Sequence, residues 1–572
     1  MKTVLTAAEM KTCDSYTIEK IGVPSAVLME RAALAAADEV LSLRGDSDGA
    51  VLILCGSGNN GGDGFACARI LHMKGVPVTV LFAGREENMT AETRRQSGIC
   101  GRLGLRAVKP EEIPEDGNAG ERFWNSFEVI VDALLGIGLT REVVGSMRDL
   151  IQKANAARAR IVSIDIPSGV DADTGRVLGT GIYAAVTVTM QCIKPGLLLY
   201  PGAENTGRLV AADLGIVEPA SGNPGVMEAV SGISSGAAES VSGISGTEES
   251  ASGISGAEES ASGISDAAES ASGITGSHHN RVTSDICPMR LMEREDLKLV
   301  LPVRSASGNK GTFGKLLIIA GSENMAGAAF LCASAALRSG AGMVKVLTPA
   351  VNREILQRSL PEAMLATWDS LGKMETELRQ ALDWCDAVVC GPGIGRSEEA
   401  SRLVHELMAV CEKPVVLDAD GLNVLEGDLS VLTDTPSGRV TLTPHIGEMA
   451  RLTGKSAADI KNDLVASARE ISRLTGATCV LKDARTVTAL PDGGIFFNNT
   501  GNSGMATAGS GDVLAGILGS LIVQGTDPGY AAAAAVVLHG AAGDEAAAEQ
   551  GRRFMTAGDI VTGIRTVLRE EP

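Results

Sequence analysis

Aromatic side chains make up only 3% of this 572-residue chain, which holds Trp 3, Tyr 4 and Phe 9. Its cores must be filled by aliphatic residues, alanine and Gly 69 instead, a composition suited to helices packed closely on sheets. No CxxC occurs; the 11 cysteines stand singly, with Cys385 and Cys390 the nearest pair. That excludes zinc-ribbon and dithiol readings and marks the thiols as small buried apolar groups of a reducing compartment. A basic excess is also missing: the formal net charge is −20 and the pI is near 4.9, so neither nucleic acid nor an anionic membrane is an expected partner. The runs Val513–Gln524 and Ala531–Ala542 are too short to span a bilayer. The apolar start of MKTVLTAAEMKTCD is interrupted too early for a signal peptide, so a cytoplasmic location is expected.

With 44% hydrophobic residues over this length, two or more domains are expected. Residues 1–45 read as helical, through Tyr16–Lys20 and Ala26–Leu43. The strand Val51–Cys55 leads into a glycine loop, Gly56 to Gly64 (GSGNNGGDG), then a helix Phe65–Lys74 and a second strand Val76–Phe82. Strand, loop, helix, strand is a βαβ unit. The loop matches GxGxxG poorly, and its paired asparagines and Asp63 add side-chain oxygens and amides to the bare backbone. Strands at Val129–Val131 and Arg160–Ile164 end in Asp132 and Asp165, each followed by a glycine loop containing Gly136-Ile137-Gly138 or Ser168-Gly169. The carboxyl ends of parallel strands share one rim, so Asn60, Asp132, Asp165 and Ser168 are expected to converge. Oxygen-only donors of this kind suit a hard cation rather than zinc, although strand-end acids also serve as plain caps.

Between residues 218 and 285 the composition changes. SGIS begins at Ser231, Ser242, Ser252 and Ser262, and SGIT at Ser272, with AES or EES between the later copies. With one isoleucine per unit, such a segment cannot offset its ordering entropy, and it reads as a flexible acidic linker. A short-period β-solenoid is the sharper alternative, but the apolar content is too low for it. His278 and His279 read as solvated. The linker divides the chain into domains 1–217 and 286–572, whose sites are expected to work independently.

The second domain alternates strands and helices again. Lys315–Ala320 is followed by the small-residue helix Ala326–Ser339 and the strand Met343–Leu347. Later strands end in Gly391-Pro392-Gly393-Ile394-Gly395, Asp418-Ala419-Asp420-Gly421, Pro444-His445-Ile446-Gly447-Glu448 and Lys482-Asp483-Ala484-Arg485-Thr486. Last comes Gly501 to Gly516, a glycine-rich turn feeding an apolar run from Val513. Backbone N–H groups at a helix start make an anion site suited to phosphate. There Asp512 would serve as a base on a hydroxyl, as a metal ligand, or as an N-cap. No Walker lysine motif is present. The expected fold class is α/β: two doubly wound α/β/α domains, the first Rossmann-like.

Together these residues carry a resemblance. The first domain, through GSGNNGGDG, VDALLGIG and DIPSGVDADTG, resembles the NAD(P)H-hydrate epimerase family. The second resembles the ADP/ATP-dependent NAD(P)H-hydrate dehydratases, a ribokinase-like branch, through KGTFGK, AGS, GPGIG, LDADGLN, TPHIGEM, LKDART and GSGD. The resemblance implies repair of hydrated NADH and NADPH. The first domain would interconvert the R and S hydrates. The second would phosphorylate the S hydroxyl with ADP, or ATP, and eliminate phosphate.

The same resemblance implies a potassium ion on Asn60, Asp132 and Ser168. It implies hydrate contacts from Asn59, Asn60, Gly61, Gly62 and Asp63, from Gly136, Ile137, Gly138, Leu139, Thr140, Arg141 and Glu142, and from Asp165. Of these, Asp165 is the choice for proton transfer. In the second domain Asp512 would accept the hydroxyl proton while Gly509, Ser510 and Gly511 stabilise the transferred phosphate. Lys482, Asp483, Ala484, Arg485, Thr486 and Gly511 match nucleotide positions, and Ala328, Gly393 and His445 the hydrate pocket. His445 would equally suit a hydrogen-bonded core histidine, and Asn324 and Glu448 would help place magnesium. A homo-oligomer is expected. The competing readings are a ribokinase-like small-molecule kinase fused to a Rossmann-like binding domain, which would release a stable phosphorylated product, and a nucleotide sensor without turnover.

Overall fold

The computed structural model describes residues 1–114, 117–217 and 289–569. The repeat segment, with His278 and His279, lies outside the described residues. Eight strands occupy the first part of the chain: β1 (Lys2–Val4), β2 (Ala50–Cys55), β3 (Val78–Phe82), β4 (Ala107–Val108), β5 (Phe127–Ala133), β6 (Arg160–Ile164), β7 (Val186–Met190) and β8 (Arg208–Ala212). All but β1 form one sheet in the order β4-β3-β2-β5-β6-β7-β8, and every pair in it is parallel. Alternation along β2 covers both faces. Val51, Ile53 and Cys55 pack beneath the helices Ser25–Arg44 and Asn59–Met73, while Leu52 and Leu54 pack beneath Gly145–Ala156. The sequence order of the strands reverses between β2 and β5, which is where an open α/β sheet forms a crevice.

Ten more strands build the second sheet: β9 (Met289–Met292), β10 (Lys315–Ile319), β11 (Met343–Pro349), β12 (Met364–Trp368), β13 (Ala387–Cys390), β14 (Val415–Leu417), β15 (Val440–Leu442), β16 (Thr478–Leu481), β17 (Val487–Ala489) and β18 (Ile495–Asn498). Its order is β1-β9-β18-β17-β16-β15-β14-β13-β10-β11-β12, parallel from β16 through β12. Helices Ala326–Arg338, Ser510–Val523, Pro528–Gln550 and Ala557–Arg569 cover one face. The scarcity of aromatics finds its explanation here, because these helices approach almost backbone to backbone. A Cβ on Gly516 would lie 2.1 Å from the Cys332 carbonyl oxygen, and one on Gly563 2.1 Å from that of Ala542.

Three expectations need correction. Residues 1–45 are not all helical: β1 leaves the first sheet and pairs antiparallel with β9 of the second. Val4, fully buried, sits there among Ile193, Leu198, Met289 and Leu291. A three-residue strand carries too little periodicity to be read locally, and its partner is distant in sequence. The helix after β2 starts at Asn59, not Phe65, so Asn59 to Asp63 form its first turn with Gly58 as N-cap. Gly61 permits this, since a Cβ there would lie 1.9 Å from the Gly56 carbonyl oxygen. Likewise Ser510, Gly511 and Asp512 open the last-site helix rather than precede it, with Gly509 as N-cap at φ 89°. Among the described residues no helix is long and apolar enough to cross a membrane. Ten cysteines are described, all of them buried.

Candidate active sites

Neighbouring parallel strands β2, β5, β6 and β7 deliver their carboxyl ends to one rim of the first sheet. Asp132, within β5 rather than after it, is fully buried. Its Oδ2 accepts from the Ser163 hydroxyl and the Ser168 amide, each at 2.8 Å, and its Oδ1 from the Ser168 hydroxyl at 2.5 Å. Burial pushes this carboxyl above the usual range, and the hydrogen bonds from Ser168, Ser163 and Leu134 oppose the rise. The Ser168 hydroxyl also accepts from Leu135 N–H at 2.9 Å, and Asn60 Nδ2 donates to the Leu135 carbonyl at 3.0 Å. Asn60, Asp132 and Ser168 are thereby tied together around Leu135. Asn60 Oδ1 is left buried without a hydrogen-bond partner.

Beside this group lies a cavity of about 410 Å³ lined by Asn59, Asp63, Ile137 and Asp165, with Met10, Asp14 and Met29 from the preceding helices. Asp165 follows β6 at φ 68°, a backbone rarely adopted outside glycine. A Cβ on Gly136 would lie 3.3 Å from Asn60 Cβ and 3.6 Å from Asp165 Oδ2, so this glycine separates the two side chains. Asp63 is pushed well above the carboxylate range, by burial first and then by the charges of Asp165 and Asp14. Gly61 and Gly62 are buried backbone positions of the same turn. Gly138, Thr140, Arg141 and Glu142 stand exposed on the loop beyond, with Leu139 half-buried.

The sequence reading missed Lys194. It follows β7, is fully buried, and donates to Asp165 Oδ1 at 2.7 Å, Thr189 Oγ1 at 3.0 Å and the Met190 carbonyl at 3.0 Å. The available signal was a lone lysine in the turn that follows β7.

The second site is built the same way, from β14, β15 and β16. Asp418, Thr443 and Lys482 follow these three adjacent strands and meet. Lys482 Nζ donates to Asp418 Oδ1 at 2.7 Å, which also accepts from the Thr443 hydroxyl at 2.6 Å. Ala419, at φ 47°, turns the chain between Asp418 and Asp420. Burial alone would lower the Lys482 ammonium, but Asp418, Glu448 and Asp512 outweigh it and hold it above its ordinary value. A Cβ on Gly511 would lie 3.4 Å from Lys482 Nζ, so the helix start faces this ammonium directly. Asp512 stands there with its pKa raised to about 7, by burial first and then by Asp418, against the lowering effect of Lys482.

Around this centre, Gly395 N–H donates to Asp420 Oδ2 at 3.0 Å, which holds the Gly393 loop against the acids. A Cβ on Gly393 would lie 2.8 Å from that of Ala328, so these two predicted pocket residues are in contact. Two further residues went unread. Asp544 accepts from Gly501 N–H at 2.8 Å and Asn502 Nδ2 at 2.9 Å, pinning the glycine-rich turn to the helix Pro528–Gln550. His539 lies 3.2 Å from the Ser510 hydroxyl, its pKa lowered to about 4 chiefly by burial, so it is neutral.

Other predicted residues border this centre or lie beyond it, with Glu448 Oε2 4.0 Å from Lys482 Nζ. His445 is not a core histidine. It caps the helix Ile446–Thr453 with its side chain 52% exposed, its Nδ1 accepting from Gly447 and Glu448 N–H. Glu448 answers it through Oε2 to His445 N–H at 2.8 Å, with Oε1 3.3 Å from His445 Nε2, so its carboxylate is engaged. Asn324 is exposed at φ 70°. Arg485 donates to the Thr500 carbonyl at 3.1 Å and lies over the Tyr200 ring at 5.8 Å. Thr486 N–H donates to Asn498 Oδ1 at 3.1 Å, while Asp483 is half-buried and Ala484 exposed.

Two lobes of parallel sheet, each with a polar constellation at the carboxyl rim, define a two-site α/β enzyme. The family profile for NAD(P)H-hydrate dehydratase matches residues 316–565, and that for the YjeF-related protein N-terminus matches residues 25–196. The bifunctional NAD(P)H-hydrate repair enzyme Nnr of Moorella thermoacetica is 36% identical over 99% of this chain and 96% of its own. That of Escherichia coli is 34% identical over 91% of this chain and 85% of its own. Among solved structures, the ADP/ATP-dependent NAD(P)H-hydrate dehydratase of Bacillus subtilis, co-crystallised with ATP/Mg2+, is 31% identical with a TM-score of 0.42. The match covers 48% of this chain and 96% of that one. The chain belongs to the family of bifunctional NAD(P)H-hydrate repair enzymes.

Proposed function

We propose that the first site interconverts the R and S hydrates of NADH and NADPH, and that the second dehydrates the S form with ADP, yielding AMP and phosphate. The observation that carries the second half is Asp512, a carboxylate held near neutrality at a helix N-terminus. The S hydroxyl placed against it loses its proton as oxygen attacks the terminal phosphorus of the nucleotide. The first-turn amides and Lys482 stabilise the charge on the transferred group. Elimination of phosphate then restores the reduced ring. The Gly393–Ala328 wall and the cap at His445 would border the hydrate, and Asp483 to Thr486 the nucleotide. ATP is the alternative donor.

In the first site Asp165 is the proton-transfer residue, with Asn59 to Asp63 and Gly136 to Glu142 bordering the nucleotide. Asn60 Oδ1, buried and unpartnered beside the Ser168 hydroxyl and the Leu135 carbonyl, supports a potassium ion held by Asn60, Asp132 and Ser168. That ion would supply positive charge next to the bound hydrate. The commitment of Glu448 to its cap weighs against it as a magnesium ligand. Magnesium is expected to arrive with the nucleotide phosphates.

The test is recovery of reduced-nicotinamide absorbance from mixed R and S hydrate with ADP, magnesium and potassium. Complete recovery is expected, and replacing potassium by sodium should slow only the R fraction. Recovery halting at the S fraction overturns the epimerase half. A stable phosphorylated product overturns the dehydratase half in favour of a kinase.

A further inference from the structure

We propose that Lys194 is the positioning residue of the first site: its buried side chain fixes Asp165 at the wall of the cavity that Asp63 also lines, so that these two carboxyl groups exchange both protons of epimerisation. The proposal rests on the reading of that site as an epimerase. Lys194 has three partners for its three N–H bonds, Asp165 Oδ1, Thr189 Oγ1 and the Met190 carbonyl. None is left for a ligand, so it acts through Asp165. A fully buried ammonium is tolerated only with an opposite charge in contact, and Asp165 is the carboxylate that the structure puts there.

One oxygen of Asp165 is thus fixed by the lysine, while the other lies by Gly136, next to Asn60. The left-handed backbone at Asp165 is a strain that persists where surrounding structure over-determines it, as this pairing does. Asp63 shares the cavity wall and has no ion-pair partner among the described residues. Burial, with Asp165 and Asp14 nearby, raises its pKa, the direction expected of the acid member of such a pair. Lys11, Asp14 and Glu92 are the other charged groups lining the cavity.

In the hydrate, the hydroxyl stands on the carbon next to the ring nitrogen. Asp165 takes the hydroxyl proton as the bond from that carbon to nitrogen breaks, which forms an aldehyde. Asp63 gives its proton to the nitrogen that receives the bonding pair. After rotation of the aldehyde the nitrogen attacks the opposite face and returns its proton to Asp63. Asp165 returns the other proton to oxygen. No oxidant or co-substrate is needed.

The experiment follows R-to-S exchange of hydrated NADH by chromatography, using the full chain and, as a folding control, its dehydratase rate on S hydrate. In Lys194→Met we expect epimerisation kcat to fall about 100-fold, with KM little changed and dehydration intact. Ethylammonium should restore part of the rate and ethanol none. Asp63→Asn should lose kcat similarly. Undiminished epimerisation in Lys194→Met, or equal rescue by ethanol, overturns the proposal. Should Lys194→Met lose both activities, Thr189→Val decides: a lower kcat at constant KM supports the proposal, and an unchanged kcat overturns it. Failure of the wild-type chain to epimerise instead overturns the epimerase reading itself.

Discussion

Asp512 and Asp165 solve the problem of the active carboxylate in two ways. Asp512 is buried and crowded by Asp418 and Asp420, with the shared Lys482 to offset them, so its pKa is raised to about 7. A base must be deprotonated to act, so dehydration kcat/KM should climb as pH rises through about 7 and fall on the acid side. A pH–rate profile of the S hydrate alone checks this. Asp512→Asn should cut dehydration about 1,000-fold while R-to-S exchange continues, as chromatography with and without ADP will report. Asp165 has a lysine of its own.

Both constellations depend on what the ends of elements provide. Parallel strands bring Asp132, Asp165 and Lys194 to one rim, and Asp418, Thr443 and Lys482 to the other, and in each case a helix start completes the group. The first helix start relies on Gly61, which lies under the Gly56 carbonyl. Gly61→Ala should destabilise the fold by about 2 kcal/mol or more, seen as a lower urea midpoint, because backbone rather than a movable side chain would have to shift. Epimerisation should fail before dehydration does.

At the scale of the molecule, β1 joins the first-lobe segment to the second sheet, and Val4 fills a cluster drawn from both lobes. Val4→Asp would bury a charge without a partner there, at a cost of several kcal/mol. Calorimetry should then show two thermal transitions in place of one, with both activities retained below the first. A single unshifted transition would contradict the joint role of β1.

The glycine loops, the strand-end acids and the anion-binding turn were legible in the sequence because each is local: glycine, asparagine and aspartate punctuate apolar runs at fixed spacing. The α/β class followed from the alternation of those runs, and the family from the order of the motifs. Contacts between distant residues were decided only by the tertiary structure. Lys194 against Asp165, Asp544 under Gly501 and β1 beside β9 are pairings that carry no periodicity of their own. The pKa values of Asp63 and Asp512 belong with them, since burial and neighbouring charge exist only once the sheets are assembled. Local chemistry determined which residues were available, and strand order determined which of them meet.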